Sequence, residues 1–301
     1  MFLADLSCAS SNKPIQKFEE IHPRASSIIL RSKSQRFPKL FNILHDCCGH
    51  PKIRPLLDQL HYWDIEVINP ELIPTMSEYL GPTGLLRTRN PNAIVVAYFS
   101  GVDINPALRI QPINRGFIEG LESSWYLKDV DGKPVPLFQL FTSNWTIALN
   151  PTTRVNRFLP AYVNQHVLST GLVDGILYDW ASTEMSWMNH RKPPQSGPID
   201  MDQEGNADPD NKVDERWTKG YFTLLENSRK LFPPETLVMA NGGWNTGNVY
   251  SSVLNGIMIE QFLLRSKKVA RAIRLEERDA NLLALYGKVP LSSICAGYGQ
   301  S

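Results

Sequence analysis

No stretch of this 301-residue chain approaches the roughly 18 consecutive apolar residues of a membrane-spanning helix, so a helical span is excluded. An excess of one charge is missing too. The 31 Lys and Arg balance the 30 Asp and Glu to a formal net charge of +1, which leaves no global field to recruit nucleic acid or anionic membrane. No basic run carries interleaved aromatics, which argues further against nucleic acid as a partner. Cysteine is scarce. Cys8, Cys47, Cys48 and Cys295 are too few and too irregular for a disulfide framework, and the neighbours Cys47 and Cys48 pair only with strain. Buried free thiols are the expectation. Met1 to Asn12 is short and broken by Asp5, so it does not read as a signal peptide. Leu6-Ser7-Cys8 has the outline of a lipoprotein cleavage site but lacks the apolar region before it. The single Asn144-Trp145-Thr146 triplet is expected by chance. Phosphate-binding loop, dinucleotide fingerprint, Gly-x-Ser-x-Gly elbow and His-Glu-x-x-His are all absent.

What is present is a phrase used twice. Asp174-Gly-Ile-Leu-Tyr-Asp179-Trp180 and Asn255-Gly-Ile-Met-Ile-Glu260-Gln261 each open with an Asx-Gly turn, continue as a short apolar run, and end on a carboxylate at the same offset. Short apolar runs bounded by turn residues suit strands of a parallel sheet covered on both faces. A carboxylate at such a strand's C-terminal end lies on the face that carries catalysis in α/β barrels. The two acids are about two strand-helix units apart, in a chain of a size that suits one barrel.

The rest of the chain keeps a βα rhythm. Residues 1–36, rich in Ser, Lys and Pro, read as a poorly structured lead-in, with Ser27 to Leu30 extended; residues 37–301 read as one barrel domain. Strands are expected at Lys39–Leu44, His61–Ile68, Ala93–Phe99, up to Asp179, at Thr236–Ala240, up to Glu260, and at Leu291–Ala296. Helices are expected at Glu71–Leu86 (weakened by Pro74 and Pro82), Arg154–Ser169, Glu215–Leu231 and Ser266–Tyr286. Two long loops intervene, Ser100–Pro151 and Ser182–Asp214, the first with an Asp-Gly hairpin turn at Asp129–Val135. Seven strands are one short of a closed (β/α)8 TIM barrel: either Ser27–Leu30 closes the sheet or the last unit is missing, and with the second favoured the expected fold class is α/β, a TIM-type barrel lacking its last unit.

Two acids on one rim are the minimum for cleaving a glycosidic bond. One protonates the leaving oxygen, and the other attacks the sugar or activates water. Asp179 is read as nucleophile or base. Glu260, with Ile257, Met258, Ile259 and Phe262 around it in sequence, is read as the general acid, an apolar surround favouring its protonated form. The competing role of a strand-end acid is to cap a helix or pair with an arginine. Asn241, Trp180, Trp244, Asn69, Asp103 and Tyr98, at or beside strand ends, are the expected substrate-binding residues. Trp145 and Trp187 also fall in or beside rim loops, where aromatic faces pack against sugar C–H faces. No cofactor is required by this chemistry. Asp200, Asp202, Glu204, Gly205 and Asp208 follow the first nine positions of a calcium loop, but Asn211 replaces the bidentate Glu at position twelve; structural Ca2+ is an expectation from spacing alone. His45 and His50 hold metal-capable atoms at a spacing that fits no zinc pattern. A non-catalytic sugar-binding barrel and, behind it, a metal-dependent hydrolase built on those histidines are the alternatives.

Several phrases in this order carry a resemblance. Tyr62-Trp-Asp-Ile-Glu-Val-Ile-Asn-Pro70, Asn90-Pro-Asn-Ala-Ile-Val-Val-Ala-Tyr98, Asp174–Trp180, Ile199–Asp208, Trp217-x-x-Gly220, Met239-Ala-Asn-Gly-Gly243 and Asn255–Glu260 resemble the hypothetical glycosyl hydrolase family fifteen. They are also similar to the wider glycoside-hydrolase-type TIM barrels that include endo-α-1,4-polygalactosaminidase-like proteins. The resemblance covers residues 37–298. It implies a TIM barrel with acids on strands four and six, a carbohydrate substrate, and a secreted or periplasmic enzyme, although no export signal is visible.

Overall fold

The computed structural model describes residues 41–44, 59–139, 145–191, 197–242 and 249–258. Six strands form one parallel sheet: β1 (Phe41–Leu44), β2 (Ile65–Ile68), β3 (Ile94–Ser100), β8 (Gly175–Asp179), β10 (Leu237–Asn241) and β11 (Gly256–Met258), neighbours in that order. The sheet is a curled half-barrel, part of the expected TIM-like architecture. The seventh expected strand, Leu291–Ala296, the helix Ser266–Tyr286, the extended segment Ser27–Leu30 and the cluster from His45 to His50 lie outside the described residues.

Period-two alternation splits each strand between two apolar layers. Val67, Ile94, Val96, Leu177 and Leu237 form a small cluster on one face, with Tyr98, Met239 and Met258 packed against it. On the other face Ile68, Val95, Ala97, Phe99, Ile176, Tyr178, Val238 and Ala240 belong to the main core. That core is closed by two helices, α4 (Val155–His166) and α5 (Asp210–Leu231), which pack on each other and bury Leu159, Val163, Trp217, Tyr221, Leu224 and Leu225. Trp217 and Gly220 share one turn of α5. A Cβ at Gly220 would lie 2.6 Å from the Pro151 carbonyl carbon, so the missing side chain lets α5 sit directly on the turn preceding α4.

Both Asx-Gly turns fasten the N-terminal strand ends in the same way. Asp174 Oδ2 accepts the Val95 amide at 2.9 Å and pairs with Arg87 at 2.8 Å. Asn255 Oδ1 accepts the Val238 amide at 2.8 Å and a bond from Arg229. Each Asx side chain therefore ties the preceding sheet neighbour, and an arginine from the helix ahead of that neighbour, to the start of its own strand. Burial pushes the Arg229 guanidinium down to about 10.

Three expectations are corrected in detail. The single helix Glu71–Leu86 is instead a 3-10 turn, Pro70–Thr75, followed by α1 (Ser77–Leu80) and α2 (Leu85–Arg89), because Pro74 and Pro82 interrupt the backbone ladder. Helix α5 begins at Asp210, five residues before Glu215, with Pro209 in extended conformation ahead of it. The segment Ser100–Pro151 is structured: α3 (Pro112–Glu119) and a three-stranded antiparallel sheet of β4 (Asp103–Ile104), β7 (Trp145–Ala148) and β6 (Pro136–Gln139). The Asp-Gly hairpin is present, its Asp129 carboxylate accepting the Asp131 and Lys133 amides and Gly132 at φ 73°. The two long loops meet where β5 (Lys128–Asp129) pairs with β9 (Ile199–Asp200). Among the described residues no helix is long and apolar enough to cross a membrane.

Candidate active site

Parallel pairing brings Ser100, Asp179 and Asn241 to one edge of the sheet. Ser100 is the register partner of Asp179, and Ala240 that of Tyr178, so Asn241 and Asp179 end adjacent strands side by side. Asp179 is half-buried. Its Oδ2 accepts the Tyr98 hydroxyl at 2.6 Å, and its Oδ1 accepts the Asn241 amide at 2.8 Å and the Trp180 backbone N–H at 2.8 Å. Among the described residues no Lys, Arg or His forms an ion pair with it. The carboxylate is thus aimed by neutral donors on β3 and β10 and, among the described residues, meets no cation.

Backbone geometry at the strand end serves the same purpose. Trp180 has a positive φ of 54°, rare for a bulky residue and costing on the order of 1–3 kcal/mol. Two bonds hold it there: Ala181 N–H to the Asn241 carbonyl at 2.7 Å, and the Tyr221 hydroxyl to the Asp179 carbonyl at 2.9 Å. At the same turn the Trp180 N–H donates back to Asp179 Oδ1. The indole is pinned by Nε1 to Met185 Sδ at 3.0 Å and by an edge-on contact with Phe138, ring centroids 4.9 Å apart. Phe138 comes from β6, so the excursion after β3 forms a wall beside Trp180. Further along that wall the Arg191 guanidinium lies over Trp187 at 4.4 Å and near Trp145 at 5.8 Å.

The other expected residues divide. Tyr98 and Asn241 touch Asp179 directly. Asp103 is buried beside Ser100. Asn69 is buried at the end of β2, where its side chain accepts the Glu71 amide at 3.0 Å and caps the following turn. Trp244 and Glu260 lie outside the described residues; β11 is described as far as Met258. Ser100 and Tyr221 escape sequence reasoning. The readable signal is the Ser-x-x-Asp spacing of Ser100 to Asp103 just after a strand, a common local hydrogen-bonding pattern.

In the acidic loop, Asp200, Asp202 and Asp208 each offer an oxygen within 4.8 Å of the others; Glu204 is not part of the group. Arg216 supplies the local positive charge, 2.6 Å from Asp202 and 2.9 Å from Asp208, and holds the Asp202 carboxyl below its usual range. Asp200 is spent on the loop itself, accepting the Glu204 and Gly205 amides.

No family model matches the chain, and no curated protein matches it. Solved structures with a similar chain trace include α-galactosidases and a glucanotransferase. An α-galactosidase from Thermus thermophilus, in complex with p-nitrophenyl α-D-galactopyranoside, is 13% identical over 74% of this chain and 42% of its own, with a TM-score of 0.41. An α-galactosidase from Lactobacillus brevis is 11% identical over 86% of this chain and 34% of its own, TM-score 0.46. A cycloisomaltooligosaccharide glucanotransferase from Paenibacillus sp., complexed with cycloisomaltoheptaose, is 12% identical over 69% of this chain and 30% of its own, TM-score 0.43. This chain therefore spans less than half the length of each.

Proposed function

We propose that the protein is a glycoside hydrolase that cleaves an O-glycosidic bond with two carboxyl groups, Asp179 as nucleophile or base and Glu260 as general acid. The observation that carries this reading is the Asp179 carboxylate: at the C-terminal edge of a parallel sheet, half-buried, oriented by Tyr98, Asn241 and the Trp180 amide, and not neutralised by a cation among the described residues. Asp174, at the other end of the same strand, is by contrast paired with Arg87. The motif order that resembles the hypothetical glycosyl hydrolase family fifteen points to the same assignment from sequence, although no family model matches the chain.

In this mechanism Glu260 gives its proton to the leaving oxygen as the bond to the sugar breaks. Asp179 either bonds to the anomeric carbon, to be displaced later by water, or takes the proton of the water that attacks. A carboxyl separation of about 5–5.5 Å belongs to the first course and about 6.5–9.5 Å to the second. Trp180 and Phe138 offer aromatic surface beside the reacting carbon, and Asn241 an amide to a sugar hydroxyl. The test is a panel of aryl glycosides and polysaccharides against the wild type and the Asp179→Asn and Glu260→Gln variants. Hydrolysis lost in both variants supports the proposal, whereas hydrolysis surviving both changes removes it. Saturable sugar binding without turnover in the wild type would mark a binding barrel instead. The calcium expectation at Asp200, Asp202 and Asp208 requires displacement of Arg216. Titration calorimetry showing no heat at millimolar calcium would end it.

A further inference from the structure

The wall beside Trp180 holds a cation that, among the described residues, meets no acid. Arg191 follows the 3-10 turn Ser186–His190 and is half-buried. Its Nη1 donates to the Pro136 carbonyl at 2.5 Å and its Nη2 to the Leu137 carbonyl. The same guanidinium lies 4.4 Å from the centre of the Trp187 ring and 5.8 Å from that of Trp145, both within reach of a cation–π contact. Burial pushes it below the ordinary arginine value. Other arginines are spent differently. Arg87 is answered by Asp174, and Arg216 by Asp202 and Asp208. Arg229, like Arg191, is held by neutral oxygens, but it commits Nε and both Nη atoms, to Val253, Thr236 and Asn255. Arg191 commits only its two Nη atoms, one bond each, so among the described residues Nε and the outer N–H groups keep their donors.

This cation is continuous with the Asp179 site. The Leu137 carbonyl that it holds belongs to the peptide leading into Phe138, Phe138 packs edge-on against Trp180, and the Trp180 N–H donates to Asp179. On β6 and β7 the residues Leu137, Thr146 and Ala148 are buried while Phe138 and Trp145 are half-buried, which puts both rings on the less buried face of that sheet. Aromatic surface suits sugar C–H faces, and a guanidinium fixed by its neighbours is a planar, preorganised donor to an oxyanion. We propose that Arg191 is a specificity residue that receives an oxyanion substituent, carboxylate or sulfate, on a sugar unit lying along the wall beyond Trp180, so that the substrate is an acidic glycan of more than one sugar. This deepens the glycosidase reading and rests on it for its consequence in hydrolysis; the binding itself requires no turnover. The competing role for Arg191 is a brace that ties the turn after β8 to β6. A brace would not discriminate acidic from neutral glycans.

The test is affinity electrophoresis of the full chain through gels holding neutral polymers (dextran, galactan), polyuronates (polygalacturonate, alginate) or sulfated polymers (carrageenan, dextran sulfate). Salt at about 0.15 M screens long-range attraction. The proposal expects an acidic polymer to retard the wild type more than the neutral ones do, and Arg191→Gln to weaken that binding about tenfold while leaving any binding of neutral polymers unchanged. Retardation by polyuronates marks the oxyanion as carboxylate, and by sulfated polymers as sulfate. No preference for an acidic polymer, a preference that survives Arg191→Gln, or an equal loss on neutral polymers overturns the proposal. Should the variant fail to fold, phenylglyoxal modification of Arg191 in the wild type, read by peptide mass spectrometry, takes its place. The retarding polymer should slow that reaction, and an Arg191 that is not protected, or that never reacts, overturns the proposal equally. A wild type that cleaves no glycoside defeats the proposed function and leaves Arg191 to be judged on binding. A wild type that cleaves neutral glycans and prefers no acidic one keeps the function and loses this proposal.

Discussion

Strand β8 has an aspartate at each end, and the two are treated in opposite ways. Asp174, at the N-terminal end, meets the Arg87 guanidinium at 2.8 Å and the Val95 amide, and its side chain is only 14% exposed. Asp179, at the C-terminal end, meets a phenol, a carboxamide and an amide N–H, all neutral. A carboxylate paired with a cation where it is buried holds the sheet together; one oriented by neutral donors, with no cation beside it among the described residues, is open to a ligand. The Asx-Gly phrase repeats because it carries the first of these two roles. Asn255 with Arg229 and Val238 reproduces the Asp174 latch further along the sheet. Glu66 is a third case, buried with Asn42 as its hydrogen-bond donor at 3.0 Å, and its carboxyl is raised by burial to about 8.

The contrast predicts which property each change damages. Asp179→Asn should lower hydrolysis about 10³-fold or more, equivalent to about 4 kcal/mol of transition-state stabilisation, with a melting temperature close to wild type. Steady-state kinetics beside calorimetry separate the two effects, and equal losses of both would erase the distinction between the strand ends. Arg87→Met should do the reverse. Leaving Asp174 buried without its cation costs about 3 kcal/mol of stability in denaturant unfolding, while hydrolysis per folded molecule is retained.

Glu66 sharpens the comparison through pH. Between its ordinary value of 4.5 and about 8, the folded state holds a proton on Glu66 that the unfolded state has lost, so this group lowers stability as pH rises through that window. Glu66→Gln should flatten that slope, stabilising the protein more at pH 9 than at pH 5, read from unfolding midpoints. The smallest effect belongs to Tyr98→Phe. Removing one of the donors that aim Asp179 should slow hydrolysis about tenfold, about 1.4 kcal/mol, at unchanged pH-stability behaviour.

Much of this is legible in the sequence because periodicity and turn chemistry are local. Six of the seven expected sheet strands are observed, since β-branched runs bounded by Asx-Gly and Asn-Pro leave little choice of local structure. Asp179, Tyr98 and Asn241 can be placed on one edge because each ends, or nearly ends, such a run. The helix after β2 reads too long in the sequence because Met76, Tyr79, Leu80 and Leu86 keep a helical spacing that the prolines override. The segment after β3 reads as loop because its strands are two to four residues long and pair across tens of residues, which no local pattern encodes. The roles of Ser100 and Tyr221 depend on register and on helix packing, and the left-handed turn at Trp180 depends on bonds from Asn241 and Tyr221.

The most direct measurement is azide rescue of Asp179→Ala on an aryl glycoside that the wild type hydrolyses. The alanine variant should be nearly inactive, and added azide should restore turnover and leave the sugar as a glycosyl azide, the small anion standing where the Asp179 carboxylate stood. Wild-type rates in the alanine variant without azide would contradict the account.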